Sequence, residues 1–179
     1  MKALMIMMAA AALSSCMSFS DRPLRPMKNA ILAQNPELIL EKEVAINVGK
    51  GLFSVLDAFA VGDSDFSELD NVNVAIYNVS AAGAGDKKGS SFSTESFARA
   101  LQKTNKSLHW EQIVRVRDDG ENLWVFAGMD LRRSELKAIS VIVLEQDELV
   151  LISVDGDINE MMIYALESSH GHRVDQPAG

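Results

Sequence analysis

The sequence predicts an α+β fold, a two-layer sandwich in which two to three helices pack on a mostly antiparallel sheet. Two segments, 41–48 and 69–79, alternate apolar and polar residues with the period of a half-buried strand. Each is followed by a segment with apolar residues at helical spacing, 52–59 and 92–104. After residue 109, strand-like segments follow one another without a long helix between them, which predicts a C-terminal four-strand meander.

The first strand and helix lie between residues 41 and 62. In the strand, Val44, Ile46 and Val48 place branched apolar side chains on one face, and Gly49 and Gly51 end it. We expect the next segment to pack a short helix on the sheet through an apolar stripe formed by Leu52, Phe53, Val55, Leu56 and Phe59.

The second strand, 69–79, has Val72, Val74 and Ile76 on one side. Residues 80–91 are small, glycine-rich and charged, which indicates a loop. In the helix that follows at 92–104, the N-cap is expected at Ser93, and the inward stripe is formed by Phe97, Ala98 and Leu101.

Four further strands are predicted at 110–117, 122–128, 136–144 and 149–154. The first two form a hairpin around the sequence DDGE at 118–121, and the last two form another around QDE at 146–148. Residues 139–144 are almost continuously apolar, as in a central strand covered on both faces or on one side of a tight interface. A final helix is predicted at 158–166.

The N-terminus resembles an export signal. Lys2 precedes an uncharged apolar run at residues 3–13, which is the layout of a secretory signal segment. Such a run rises only about 16 Å as a helix, roughly half of a hydrocarbon core, so it is too short for a transmembrane anchor. The run ends in Leu13-Ser14-Ser15-Cys16, which resembles the bacterial lipobox. That resemblance implies cleavage before Cys16 and acylation of its thiol and of the new amino terminus, with chains such as palmitate.

The alternative is an ordinary secreted protein whose cysteine falls near the cleavage site by chance. Acylation is favoured because the chain has one Cys, which leaves no partner for an intramolecular disulfide. Two or three acyl chains anchor a protein stably. In enteric bacteria an Asp after the acylated Cys favours the inner membrane, whereas this chain has Met17. We therefore expect a periplasmic-facing outer-membrane lipoprotein if the host is Gram-negative.

Residues 17–36 carry Pro23, Pro26 and Pro36 without sustained periodicity, which predicts a tether between membrane and domain. The predicted organisation is thus a cleaved signal peptide at 1–15, a lipidated Cys16 and tether at 16–36, a single domain at 37–167 and a disordered tail at 168–179.

The mature chain is acidic. Without residues 1–15 it has 16 Lys and Arg against 25 Asp and Glu, a net charge of about −9. This balance argues against a nucleic-acid partner, which requires a basic face, and against electrostatic adhesion to anionic lipid. Membrane association is therefore expected to come from the acyl chains on Cys16. The content of 47% hydrophobic residues is too high for a disordered chain and fits one core.

Three segments resemble a known family. They are LDNVNVAIY at 69–77, WEQIVRVRDDGE at 110–121 and VLISVDGDI at 150–158. Together they are similar to the bacterial lipoprotein family catalogued as domain of unknown function 4252, over roughly residues 44–166. The resemblance implies a lipobox followed by a hairpin with an Asp-Gly-Glu turn and an apolar strand pair. It implies no activity, because the family has none assigned, and no functional residues can be carried over.

Two motif-like patterns fit enzymes poorly. Gly83, Gly85 and Gly89 lie between a strand and a helix, but the third glycine comes one residue too late for a dinucleotide fingerprint, so a flexible loop is favoured. Ser134 and Lys137 match the Ser-x-x-Lys pattern of penicillin-interacting enzymes. There, one helical turn brings the amine to the hydroxyl, whereas a strand would point the two side chains to opposite faces.

Metal sites are also poorly supported. Asp155, Asp157 and Asn159 mimic the start of a calcium loop, but the glycine and the closing glutamate of such a loop are replaced by Glu160 and Leu166. The three histidines do not form a metal-ligand or Ser/His/Asp arrangement. We expect no cofactor and no metal.

The sequence therefore favours a non-enzymatic, lipid-anchored envelope protein that presents a surface to another envelope protein. The alternative is a binding domain for a small or lipidic ligand between sheet and helices, with a cavity lined by residues such as Phe53, Phe97 and Ile142. An enzyme of unrecognised type is a third possibility, and clustered polar groups with shifted pKa values in one cleft would indicate it.

Overall fold

The structure, a computed structural model, describes residues 17–53, 68–81, 92–118 and 121–159. Seven strands run through them: β1 (Met17–Ser18), β2 (Leu38–Gly49), β3 (Leu69–Ala81), β4 (His109–Asp118), β5 (Glu121–Asp130), β6 (Glu135–Leu144) and β7 (Glu148–Gly156). Two helices have both ends in these ranges, α1 (Arg25–Gln34) and α2 (Thr94–Thr104). Residues 50–53 and 158–159 are also helical.

The strands form one antiparallel sheet in the order β1-β2-β3-β7-β6-β5-β4. The connection that contains α2 carries the chain from β3 in the interior of the sheet to β4 at one edge. From there the β4 to β7 meander returns the chain to the side of β3. The α+β class and the mostly antiparallel sheet are thus confirmed, and the four C-terminal strands are neighbours in chain order, as the sequence predicts.

The segment after Met17 differs from the predicted tether, because most of it packs on the domain. β1 pairs with β2, a 3-10 turn covers Arg22–Leu24, and α1 follows directly. One apolar stripe of this segment is buried, formed by Leu24, Met27 and Ile31. Pro23 and Pro26 lie in the first turns of the 3-10 helix and of α1, where a missing N–H removes no hydrogen bond. The prolines therefore begin helical turns here instead of marking a tether.

The main core lies between the sheet and the two helices. Its centre is an aromatic group in which the Phe97 ring lies 5.3 Å from Trp124 and 6.3 Å from Phe126, both edge-on. Phe92 stacks on Phe97 with a centroid distance of 6.0 Å. Edge-to-face contacts of this kind contribute about 0.5–1.5 kcal/mol each beyond the apolar area that they bury. The side of the sheet that faces α1 and α2 is therefore tightly filled around these rings.

Several predictions fall outside the described residues. These are the signal peptide at 1–15 and Cys16, the helix at 52–59 beyond residue 53, the loop at 80–91 beyond residue 81, the final helix beyond residue 159, and the tail at 168–179.

Candidate functional site

The face of the sheet opposite α1 and α2 consists of registered rows of side chains that cross β2, β3, β7, β6, β5 and β4. The first row is Ile46, Val74, Ile152, Val141, Val125 and Val114. The second row is Val44, Ile76, Val150, Val143, Leu123 and Val116. We call these two rows the apolar sheet face. A third row, Val48, Val72, Val154, Ile139, Ala127 and Glu111, lies beyond the first row on the same face.

No residue of the apolar sheet face is buried. Nine are partly exposed, and Val44, Val114 and Val116 are exposed by 39%, 40% and 47%. On the opposite face most of the alternate apolar residues of the same strands are buried, among them Tyr77 and Ile142 at 0% exposure. Both faces of these strands are thus largely apolar, but the face toward α1 and α2 is the more deeply buried one.

The apolar sheet face is large enough to act as a contact surface. Six strands about 4.8 Å apart and two rows about 7 Å apart span on the order of 400 Å². The largest apolar patch on a typical monomer covers about 300–600 Å² and is often functional. Every member except Leu123 is Val or Ile, and such branched side chains have few rotamers to lose when a partner covers them.

The third row is partly covered by a second, smaller cluster. Phe53, Leu69 and Ile158 are buried there at 7%, 6% and 5% exposure. They pack against Val48, Val72, Leu136, Ile139 and Val154. The helical residues 50–53 and 158–159 therefore contact the same side of the sheet as the apolar sheet face, at one end of it.

This arrangement separates the residues expected to line a ligand cavity. Phe97 and Ile142 are both fully buried in the main core, whereas Phe53 belongs to the smaller cluster on the opposite face. The three side chains therefore do not line one cavity.

The N-terminal segment is fastened to the sheet by a buried ion and hydrogen-bond group. The Tyr77 hydroxyl donates to Asp21 Oδ2 at 3.1 Å, and both residues are almost fully buried. Arg25 Nε lies 3.4 Å from Asp21 Oδ1 and Lys28 Nζ lies 3.9 Å from Asp21 Oδ2. Lys28 Nζ also stands 4.6 Å from the centroid of the Tyr77 ring, a cation–π contact. We call these four residues the Asp21 clamp.

The clamp shifts the titration of both of its buried members. Burial raises the pKa of Asp21, but the hydrogen bond from Tyr77 and the charges of Arg25 and Lys28 outweigh it, so that this pKa lies below 3.8. Burial and the adjacent Asp21 carboxylate raise the pKa of Tyr77 far above 10. The ionised Asp21 and the neutral Tyr77 are therefore the stable forms at neutral pH. Sequence reasoning missed this pair because its members are 56 residues apart.

A polar row lies on the helical face of the sheet. Asn47 Nδ2 donates to Asn73 Oδ1, and Asn73 is only 4% exposed. In the same row Ser140 is fully buried and donates to the carbonyl of Ile152 at 3.2 Å. Nearby, burial raises the pKa of Asp155, although a hydrogen bond from Ser153 acts against it. Asp155 is the one carboxylate of this group whose pKa is shifted.

Ser134, Lys137 and Asp157, which belong to the motif-like patterns in the sequence, have structural roles in the fold. Ser134 lies in the turn before β6 with a φ of 56°, whereas Lys137 pairs with Glu135 at 2.9 Å and with Asp157. Lys137 is thus paired with two carboxylates. The Asp157 carboxylate forms an ion pair with Lys137. The backbone N–H of Asp157 donates to the carbonyl of Glu68 at 2.7 Å. His109 is exposed at the start of β4.

Cys16, the residue predicted to be lipidated, precedes the first residue that the structure describes. The structure also does not describe Gly83, Gly85, Gly89, Glu160 and the two histidines of the tail. Among residues 17–53, 68–81, 92–118 and 121–159, His, Cys, Asp and Glu form no group of three that could hold a metal ion. Within the same ranges no helix has the length and apolar character needed to cross a membrane.

One comparison with known proteins gives a match. The family model described as Domain of unknown function (DUF4252) matches residues 41–166, which is more than half of the chain. No curated protein and no solved structure matches the chain.

Proposed function

Since this chain belongs to the family described as a domain of unknown function (DUF4252), we propose its function from its own residues. It is a non-enzymatic protein that acyl chains on Cys16 hold in the cell envelope, where it binds another envelope protein. In a Gram-negative host its location is the periplasmic side of the outer membrane.

The observation that carries the proposal is the apolar sheet face. Its twelve residues include no charged and no aromatic side chain. Surfaces that rest in a membrane interface are typically rich in Trp, Tyr, Lys and Arg, so this composition favours a protein partner over lipid. The partner that fits is a flat, uncharged apolar protein surface, because a charge buried against these rows would have no counter-charge.

Photo-crosslinking in intact membranes tests the partner. With a photoreactive amino acid at Val125 or Val141, neighbours in the first row, we expect the same protein adduct from both positions. The control position is Arg115, which is also exposed but pairs with Trp124 on the other face of the sheet. An adduct with lipid, an adduct with a second copy of the chain, or an equal adduct from Arg115 would contradict the proposal.

Acylation is tested separately with labelled palmitate. We expect Cys16→Ala to lose both the label and the membrane fraction, because the thiol that carries the chain is gone. Ser15→Ala is the matched control, since it keeps a small residue before the cysteine and should keep the label. A Cys16→Ala protein that is still labelled and membrane-bound would refute the anchor.

A further inference from the structure

The strands give the sheet two ends. Met17 pairs with Val48 in the third row, so the chain that precedes β1 leaves from the end that also carries the β5–β6 turn, residues 131–134. We call this the anchor end. The opposite end carries the β4–β5 and β6–β7 connections and the start of β2, and we call it the distal end.

Charge is distributed unevenly between the two ends. Exposed carboxylates are concentrated at the distal end, on Glu37, Asp118, Glu121, Glu145 and Asp147. At the anchor end several carboxylates have cationic partners: Asp70 pairs with Lys50 at 3.0 Å, and Lys137 pairs with Glu135 and Asp157. Among the described residues of the anchor end, three carboxylates are therefore partly balanced by two lysines.

The β5–β6 turn adds cations to this end. Leu131 is 63% exposed, and Arg132 and Arg133 beside it are exposed as well. Asp130 holds the turn in shape, because its Oδ1 accepts the N–H of Arg132 at 2.9 Å and its carbonyl accepts that of Arg133 at 3.3 Å. An open surface cleft of about 460 Å³ lies beside the turn, and Lys106 and Arg132 are among the residues that line it.

The turn also extends past the row that holds Met17. β5 continues for three residues beyond Ala127 of the third row, from Gly128 to Asp130, which is about 10 Å of strand. Cys16 precedes Met17 by one Cα step of about 3.8 Å. Four to five strand spacings, about 19–24 Å, separate β1 from the turn across the sheet. A headgroup layer is about 5–7 Å thick, so the turn of a domain anchored at Cys16 reaches it when the strands stand upright on the membrane.

We propose that the β5–β6 turn is a second membrane contact, in which Leu131 enters the headgroup layer of an anionic phospholipid bilayer and Arg132, Arg133 and Lys106 bind its phosphates. This inference rests on the proposed acylation of Cys16. Exposed basic residues next to an anchored apolar side chain add electrostatic attraction to anionic lipid. With two contacts the strands stand upright on the membrane, the acidic distal end points away from it, and the apolar sheet face stays accessible from the side.

Lipid quenching of a tryptophan placed in the turn tests the contact. The acylated mature protein with Leu131→Trp is reconstituted in vesicles of bromine-labelled phosphatidylcholine, alone or mixed equally with phosphatidylglycerol. The native Trp110 and Trp124 are buried and supply the background. We expect quenching above this background, stronger with phosphatidylglycerol and weaker at high salt. Ile39→Trp, at an exposed distal position of 46%, is the control and should show background quenching only.

Charge reversal then tests the role of the arginines. In the Leu131→Trp protein we expect Arg132→Glu with Arg133→Glu to return quenching to background, while the acyl chains keep the protein on the vesicles. Arg117→Glu, an exposed arginine near the distal end, should leave the quenching unchanged. Equal quenching at positions 131 and 39, or equal effects of the two reversals, would overturn the second contact. Loss of acylation would be seen separately as loss of palmitate label, and would overturn the proposed anchor instead.

Discussion

Removal of the Tyr77 hydroxyl tests whether the Asp21 clamp fastens the N-terminal segment to the domain. Tyr77→Phe keeps the buried ring but removes the donor that lies 3.1 Å from the Asp21 carboxylate. A hydrogen bond to a charged group contributes about 1.5–3 kcal/mol, and its loss leaves a buried carboxylate with one donor fewer. Arg25 compensates little, because its side chain is 58% exposed and its ion pair is screened by solvent. We therefore expect the free energy of unfolding to fall by about 2 kcal/mol.

Urea unfolding at pH 7, followed by tryptophan fluorescence, is the measurement. Trp124 is 1% exposed and Trp110 is 7% exposed, so both report loss of the core. A double-mutant cycle with Asp21→Asn isolates the interaction between the two side chains. The clamp would be refuted if Tyr77→Phe unfolded at the wild-type urea concentration, or if its effect were equally large in the Asp21→Asn background.

The pH dependence of the stability gives an independent check, because it shows whether ionised Asp21 stabilises the folded state. The pKa of Asp21 lies below its ordinary 3.8 in the folded state, so the stability that this group contributes is present above pH 3.8 and is lost as pH falls through the folded pKa. Because Tyr77 is one of the groups that lower this pKa, its hydroxyl stabilises the ionised form. The stability difference between wild type and Tyr77→Phe should therefore be largest near neutral pH and shrink as Asp21 is protonated. A difference that grew on acidification would contradict the assignment.

Three further predictions concern the sheet. Gly156→Ala should lower the melting temperature strongly, by several degrees in a thermal scan, because φ is +154° there and a Cβ would lie 2.2 Å from the carbonyl oxygen of Glu68. Asn73→Ala should reduce the free energy of unfolding by about 1–3 kcal/mol in urea, because it leaves the Asn47 amide without its acceptor; an unchanged midpoint would count against that bond. Asp155→Asn should raise stability at pH 7, because burial raises the pKa of Asp155 and the ionised form therefore costs stability as pH rises above 3.8; the gain should vanish in acid, and a gain that persisted there would show another cause.

The sequence predicted the strands well because their alternation is a local signal. Val72, Val74 and Ile76 were expected on one side of β3, and they do lie together in the three rows. Which side carries the helices could not be predicted, because the intervening residues Ala75 and Tyr77 are also largely apolar. Alternation of period two defines two faces but does not say what covers each of them.

The N-terminal segment could not be predicted for a different reason. Prolines at 23 and 26 signal a loop as readily as the first turn of a helix, and only contacts with distant residues decide between the two. β1 is two residues long, too short for any periodicity, and it exists because β2 offers it an edge. The Asp21 clamp likewise joins residues that no local pattern connects.

The position of β1 has a consequence for the order of events during export. Its first residue, Met17, comes directly after Cys16, and both of its residues are paired with β2. Proteolysis acts on accessible, locally unfolded chain and not on a docked strand. Under the proposed acylation of Cys16, the signal peptide must therefore be cleaved and the lipid attached before β1 pairs with β2. Folding of the N-terminus then completes biogenesis, and in doing so it shortens the connection between the finished domain and its anchor.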